Sequence, residues 1–443
     1  MASHIKPRLP THPWKRAAAW LAFLGPLFFA TYGFANWLAS QRGDVASIVF
    51  DWERHIPFVP WTIVPYWSID IFYAISLFVC VTKKELDTHA WRLLAAQIIG
   101  VTCFILFPLQ QTFVRPPSDG IFGLMFDTLT GFDKPFNQAP ALHITLLIIL
   151  WVLYARHLHG VWRWLLHVWF ALIGISVLTT FQHHFIDVPT GLLAGWLCVW
   201  LFPDDRASIF SQAARTSSAQ RRSLALRYFV CALAIALLSI TLGGVYLWLL
   251  WLSVSLIMVS AIYLFLNDNS FQKNSNGMLS QASLWLLAPY LIGAWGNSRA
   301  WTRNAHKANQ VAPNVWLGRI PKNGELPPGV NTLVDLCAEL PRRADSAHYI
   351  SLPVLDLAPL DVAHLDAAAR AITNALQNGP VLVCCALGYS RSASAVAAWL
   401  IASGHAVDAN DAAAQILKAR PQAVLHREQL DLLDQYATQL KRS

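Results

Sequence analysis

The sequence predicts a polytopic α-helical membrane domain followed by a smaller α/β domain, and three observations carry that reading. Of 443 residues, 55% are hydrophobic, 13% are charged and 20 are tryptophan, a balance too apolar for an ordinary soluble chain. Long apolar runs recur through the first two-thirds, each near the roughly 20 residues that a bilayer-spanning helix needs. From about Val311 the charges return, and short strand-like segments alternate with amphipathic helical ones. A boundary is therefore expected between residues 297 and 312.

The first span runs from Ala17 to about Ser40, behind Lys6, Arg8, Lys15 and Arg16. It is longer than the apolar core of a signal peptide and lacks a clear small-residue cleavage site, so its start is assigned to the cytoplasm. Further spans are expected near 65–82, 91–109, 141–157, 161–181, 187–203, 225–243 and 246–266. Counted this way, Lys83, Lys84, Arg92, Arg156, Arg163, Arg206, Arg215, Arg221 and Arg222 all fall on the inner side, as the positive-inside rule requires. The segments 41–64, 110–140 and the turn around His183 then face outward. Ser283–Gly296 is short and contains Pro289, which leaves a ninth span, a re-entrant half-helix or an interfacial helix open. The basic flank Arg299, Arg303 and Lys307 favours continuation in the cytoplasm. The expected location is a multi-pass integral membrane protein of a bacterial inner membrane, with a cytoplasmic C-terminal domain. If 283–296 spans, that domain lies outside.

The formal net charge of +8 is accounted for by these inner-side clusters and gives little support to nucleic-acid binding. Of seven cysteines, Cys80, Cys103, Cys198 and Cys231 lie in apolar spans, and Cys337, Cys384 and Cys385 in the C-terminal part. None has zinc-site spacing, so neither a metal nor a cofactor is expected.

Ionisable groups at membrane depth are costly and point to function. "TFVRPP" places Arg115 after the third span, "APALH" places His143 at the start of the fourth, and "SVLTTFQHHFIDVPTG" places His183 and Asp187 between the fifth and sixth. All belong to the outer side. His183 and Asp187, four apart, share a helix face. A carboxylate on one ring nitrogen fixes the tautomer and leaves the other nitrogen free as a nucleophile. His143 would protonate a leaving oxygen and Arg115 would hold phosphoryl oxygens.

Together these residues resemble the type 2 phosphatidic acid phosphatase superfamily over roughly residues 15–203: Arg115-Pro116, Pro140 with His143, and Ser176 with His183 and Asp187 match its three motifs. The resemblance implies a six-helix core and a phosphohistidine at His183, with His143 as general acid and Asp187 as its partner. Pro108 stands where the first motif has Lys, Val177 where the third has Arg, and Ala141-Leu142 where the second has Ser-Gly. That pattern, with "ERHIPFVPWTIVPYWSID", looks more like the sphingolipid-synthase and inositol-phosphorylceramide-synthase branch. A site with fewer cations suits a phosphodiester of charge −1 better than a monoester approaching −2, so head-group transfer is favoured over phosphate removal.

In the C-terminal part, "NVWLG", "TLVDLC", "HYISLPVLD" and "PVLVCC" read as strands, and "HLDAAARAITNALQNG" and "SRSASAVAAWLIASG" as helices. A buried strand, a tight loop and a helix start form a phosphate cradle: the amides of Ala386 to Arg391, Gly388 among them, point at the anion and Arg391 closes the site. The same field favours the thiolate of Cys385, the form in which a cysteine attacks phosphorus. The C-x5-R run, "LPVLDLAPLD" and "ILKARPQAVLHREQLDLL" together resemble the dual-specificity protein phosphatases over nearly all of residues 311–437. That resemblance implies a phosphocysteine at Cys385, a general acid at Asp356, 29 residues earlier, with Asp361 as the alternative, and a hydroxyl at Ser392 that helps the thiolate leave. Cys384 stands where the family has His. "LCAEL" places Cys337 where lipid-directed relatives carry a cysteine that traps the oxidised nucleophile; Cys337 or Cys384 is the candidate redox partner, and a small core residue is the other reading of Cys337.

The expected organisation is a phosphatidic acid phosphatase type 2-like membrane domain at 1–203, additional spans and linker at 204–310, and a phosphatase-like domain at 311–443. The expected function is a bifunctional membrane phosphatase or phosphotransferase acting on phospholipid or phosphorylated head groups. The alternatives are a protein phosphatase tethered by a membrane anchor or sensor, a head-group transferase coupled to a phosphatase, and catalytically dead binding modules.

Overall fold

The computed structural model describes residues 12–213, 215–342 and 348–442, so Lys6 and Arg8 of the basic N-terminal run lie outside the described residues. The chain divides into two compact units, Met1–Ser211 and Gln212–Ser443.

The first unit is helical: α1 (Trp14–Ser40), α2 (Ile63–Val79), α3 (Lys83–Leu106), α4 (Gly120–Phe132), α5 (Leu142–His157), α6 (Gly160–Thr179) and α7 (Asp187–Leu201), before a one-turn α8 (Ile209–Gln212). By length and composition α1, α2 with its leading turn, α3 and α6 can cross a membrane. The expected fourth and sixth spans form as α5 and α7 but have only 16 and 15 residues. At 1.5 Å per residue they fall short of a bilayer's ~30 Å core. α5 is the central element, packed against α2, α3, α6 and α7. Gly191 and Gly195, in "GLLAG" of α7, let that helix touch α5: an added Cβ at Gly191 would lie 2.7 Å from the Ala141 carbonyl oxygen, and one at Gly195 2.8 Å from that of Thr145. Small residues four apart are what close helix approach in a membrane uses. This contact aligns the N-terminal ends of α5 and α7, where the Ala141 amide donates to the Asp187 carbonyl at 3.1 Å. α4 lies inside the segment read as an outer loop.

The second unit opens with α9 (Ala219–Leu242) and α10 (Leu249–Phe265), joined through Gly243, Gly244 and a 3-10 turn at Gly244–Trp248; α9, and α10 with that turn, are the two remaining stretches of membrane length. Ala225 and Ala232 leave room for close packing, and Ser260 and Ser253 donate to their carbonyls at 2.7 and 2.8 Å. Arg221 caps the end of α10 through the carbonyls of Tyr263 and Leu266. α11 (Gln281–Trp301) runs unbroken past Pro289 for 21 residues, so the short apolar piece is part of a longer helix.

A five-stranded sheet follows in the order β1-β2-β5-β3-β4: β1 (Ala308–Ala312), β2 (Val315–Arg319), β3 (Thr332–Cys337), β4 (His348–Val354) and β5 (Val381–Cys385). β1 is an antiparallel edge and the rest are parallel. Helices α12 (Val362–Leu376), α13 (Arg391–Ala402), α14 (Ala409–Ala419) and α15 (Arg427–Leu440) complete the unit. Alternation along β5 divides the core. Val381, Val383 and Cys385 join Leu365, Ile372 and Val396, whereas Leu382 and Cys384 join Ile320, Leu333 and Cys337, against which Ala294 and Trp295 of α11 pack. α11 thus covers one face of the sheet.

Candidate active site

Cys385 is the last residue of β5 and Arg391 the first of α13, so the loop between them sits at the carboxyl end of a parallel strand, where open α/β sheets bind ligands. Gly388 has φ +73°, and a Cβ there would lie 2.3 Å from the Gly318 carbonyl carbon and oxygen, so only glycine fits. The loop's carbonyls are held from outside: Ser298 donates to Ala386 (2.6 Å), Arg420 to Leu387 (3.2 Å) and Gly388 (2.8 Å), and the Val424 amide to Tyr389 (2.8 Å). That leaves the amide side for the anion. Two donors already converge on the Cys385 sulfur, the Gly388 amide and the Ser392 hydroxyl, each at 3.2 Å.

Arg391 is almost fully buried and pairs bidentately with Glu339, Nη1 to Oε2 at 2.9 Å and Nη2 to Oε1 at 2.8 Å. Nη1 also donates to the Val354 carbonyl at 2.7 Å, and Nη2 lies 2.9 Å from Asp356 Oδ1. Burial opposes ionisation of Glu339, but the adjacent Arg391 charge wins and holds its carboxyl below the ordinary value. Asp356 differs: burial raises its carboxyl, the Arg391 charge opposes this, and the net result lies above the ordinary value. That suits a proton donor. Asp361 instead caps α12, accepting from the His364 amide at 2.8 Å and facing its ring nitrogen at 2.6 Å; despite some burial, these bonds hold it low.

A cleft of about 440 Å³ gathers Asp356, Cys385, Ser390, Arg391 and Gln429, with Gln220 from the start of α9 in its wall. Asp361 does not line it. Behind the cradle, Cys384 pairs in register with Asp335, whose carboxylate takes Lys273 Nζ at 2.5 Å and the Tyr349 hydroxyl. Burial pushes the thiols of Cys384 and Cys337 well up. All seven cysteines are free, and Cys337 packs with Cys384 rather than in the cluster holding Cys385. Sequence reasoning missed Glu339 and Arg420, although both lie inside quoted segments, "LCAEL" and "ILKARPQAVLHREQLDLL".

In the first unit, His183 Nδ1 lies 3.2 Å from Asp187 Oδ2, and the His143 and His183 ring centres are 6.4 Å apart, with His143 stacked on Tyr66 at 4.0 Å. Both histidines line a cavity of about 360 Å³. Arg115 is not brought there; its guanidinium lies over the Phe126 ring at 4.4 Å. Among the described residues no cluster of three or more His, Cys, Asp or Glu is arranged to hold a metal.

Residues 329–439 match the family described as "Dual specificity phosphatase, catalytic domain". Among solved structures, human DUSP28 is 25% identical and the match covers 30% of this chain and 95% of that one, with TM-score 0.27. Tk-PTP in the active form is 25% identical, with 30% and 97% covered and TM-score 0.28. PTPMT1 in complex with PI(5)P is 19% identical, with 31% and 97% covered and TM-score 0.27. No curated protein matches the chain.

Proposed function

We propose that the dual-specificity phosphatase catalytic domain at residues 329–439 works in this chain on a membrane-borne phosphomonoester, a lipid phosphate or phosphorylated head group. One observation carries the choice of substrate: helices of membrane length reach the catalytic cleft and its general-acid loop. Gln220, at the start of α9, lines the cleft, and Tyr263, near the end of α10, donates its hydroxyl to the Asp356 carbonyl at 2.8 Å. A second cavity of about 290 Å³, lined by Tyr228, Leu252, Pro289 and Tyr290, reaches the same Asp356 and Leu387. An apolar substituent on the ester has a route between the helices, which a phosphopeptide does not need.

In the reaction, the Cys385 thiolate forms an S–P bond as the P–O bond to the leaving group breaks. Asp356 gives its proton to the departing oxygen, and as carboxylate it then takes one from the water that attacks the phosphocysteine. The returning sulfur anion is received by the Ser392 hydroxyl and the Gly388 amide. Full-length protein in detergent micelles tests this with phosphatidic acid or phosphatidylglycerol phosphate against a phosphotyrosine peptide. Lipid turnover with higher kcat/KM, lost in Cys385→Ser, is expected; preference for the peptide would sink the reading.

A second reading concerns the first unit, where His183, Asp187 and His143 support a phosphohistidine site of the phosphatidic acid phosphatase type 2 kind. With Arg115 elsewhere, transfer of a phosphodiester head group fits better than monoester hydrolysis. Loss of head-group exchange in His183→Ala, with Cys385-dependent phosphate release unchanged, is the expected result. Exchange that survives His183→Ala argues against it. The protein as a whole is then an integral membrane enzyme with two phosphoryl-transfer sites.

A further inference from the structure

The cavity of about 290 Å³ beside the catalytic cleft shares Asp356 and Leu387 with it, so one end lies at the general acid. From there it follows α10 backwards. Tyr263, whose hydroxyl holds the Asp356 carbonyl, is near the end of that helix. The lining residues Leu256 and Leu252 come about two and three turns earlier, roughly 10 and 16 Å along the axis. Tyrosines flank the passage. Tyr228 of α9 lies against Tyr263, ring centres 5.7 Å apart, and meets Tyr290 of α11 edge to face at 6.0 Å. Leu252, Leu256 and Pro289 make the wall apolar, and an apolar wall facing empty space forfeits its packing contacts. Gly293 bounds the cavity on α11. At Gly191 and Gly195 of α7 the missing Cβ lets two helices touch, whereas a Cβ at Gly293 would meet no atom within 4 Å. Helix contact does not require glycine there; what the missing side chain leaves is room in the cavity.

We propose that this cavity is the acyl-chain site of the cysteine phosphatase: it seats one fatty acyl chain of a phosphatidyl-type phosphomonoester while the phosphate meets Cys385, and Gly293 is the residue that admits the chain. The inference rests on the lipid-phosphate reading and deepens it by giving the chain a place and a selecting residue. Continuity with the cleft decides the occupant. An unrelated bilayer lipid could fill a gap between helices, but a cavity that ends on the general acid puts its occupant's polar end where phosphate is handled.

The test uses full-length protein in mixed detergent micelles with dioctanoyl or dioleoyl phosphatidic acid at fixed surface fraction, and para-nitrophenyl phosphate as the ester without a chain. Wild type should turn over the dioleoyl lipid with kcat/KM about tenfold or more above the dioctanoyl lipid, a factor that burying about two further methylenes supplies. Gly293→Leu should cut the ratio of dioleoyl lipid to para-nitrophenyl phosphate turnover by about tenfold or more, and Gly293→Ala by less. Gly296→Leu, on the same helix but outside the cavity, should keep the wild-type ratio. Leucine and alanine both favour helix over glycine, so thermal midpoints should not fall. A ratio unchanged by Gly293→Leu, or a loss shared equally by every substrate, overturns the proposal. In Cys385→Ser protein, phosphatidic acid with a diazirine midway along one chain should label α10 or α11 around Leu252 and Tyr290. Labelling confined to the exposed Leu233 and Leu237 of α9 would mean bulk lipid only and overturns it as well. Wild-type preference for a phosphotyrosine peptide removes the lipid reading itself; lipid preference indifferent to chain length and to Gly293→Leu leaves that reading standing and removes this inference alone.

Discussion

Glu339→Gln probes what holds Arg391 ready for phosphate. A guanidinium has five N–H donors, four of them on the two Nη atoms. Glu339 takes two and Val354 a third, while the Asp356 carboxylate lies 2.9 Å from Nη2 as an ion pair. The amide offers one acceptor and turns an NH2 donor toward a guanidinium N–H. One bond is lost, a donor faces a donor, and a buried cation loses its main counter-charge. Removing one partner of a buried pair costs about 3–5 kcal/mol. Val354 and Asp356 remain, so the low end, about 3 kcal/mol, is expected. For a unit of this size that corresponds to a fall in melting temperature of roughly 6–12 °C. The fork also loses its fixed plane, and a displacement of about 1 Å in a positioning group costs on the order of 10²-fold. Hydrolysis of para-nitrophenyl phosphate by full-length protein, with orthovanadate as competitive inhibitor, should show kcat/KM reduced by about that factor and weaker vanadate binding. An unchanged melting temperature together with unchanged vanadate affinity would refute the positioning argument. A double-mutant cycle with Asp356→Asn should show strong coupling, since both carboxylates share one guanidinium.

Three more outcomes follow from the same geometry. Ser392→Ala removes a hydroxyl donor from the Cys385 sulfur and should slow phosphocysteine formation and breakdown by about 10- to 100-fold, the worth of a hydrogen bond to a charged group, as read by rapid-quench kinetics. Asp356→Asn should lower kcat by about 10²–10⁴ for poor leaving groups and erase the alkaline limb of the pH profile, whereas Asp361→Asn should leave kcat near wild type; the reverse pattern would exchange their roles. Because burial raises the Asp356 carboxyl, the protonated acid persists to higher pH than in an ordinary aspartate, so that limb should lie above the value of an ordinary aspartate. His364, hydrogen-bonded to Asp268 and Asp361, is raised to about 8 from its ordinary 6.5. Its contribution to stability is complete below the unfolded value and fades as pH climbs through about 8, so denaturation midpoints should drop between pH 6.5 and 8.5, and His364→Gln should flatten that slope.

The parts of the second unit that were legible in advance are those in which local pattern and tertiary role agree. "TLVDLC" and "PVLVCC" are apolar on both faces because the strands are buried on both, and a Gly-containing loop before an Ala-rich helix has few other uses. β1, "ANQVA", was missed because an edge strand needs no apolar alternation; its backbone pairs with β2, and only Ala308, Val311 and Ala312 pack against the core. α11 was cut short at Gly296 because the polar Asn297-Ser298-Arg299 ends the apolar run, and Pro289 inside it suggested an interrupted span. The helix continues because Ser298 and Arg299 find partners just past the ends of β5 and β2, the carbonyls of Ala386 and Ile320. Glu339 had no periodicity or motif spacing to mark it; its role appears only when β3 ends opposite Arg391. Arg115 shows the converse. Its sequence position suggested a phosphate ligand, but the nearby Phe126 ring takes its guanidinium.

Because Ala294 and Trp295 of α11 pack on the sheet and Ser298 holds the catalytic loop, the helix that leads into the sheet is part of the support of the site. Cutting after Trp301 would bare the face formed by Ile320, Leu333, Cys337, Leu340 and Cys384 and would free the Ala386 carbonyl from Ser298. A fragment that begins after Trp301 should therefore aggregate more readily and turn over substrate less well than one that keeps α11.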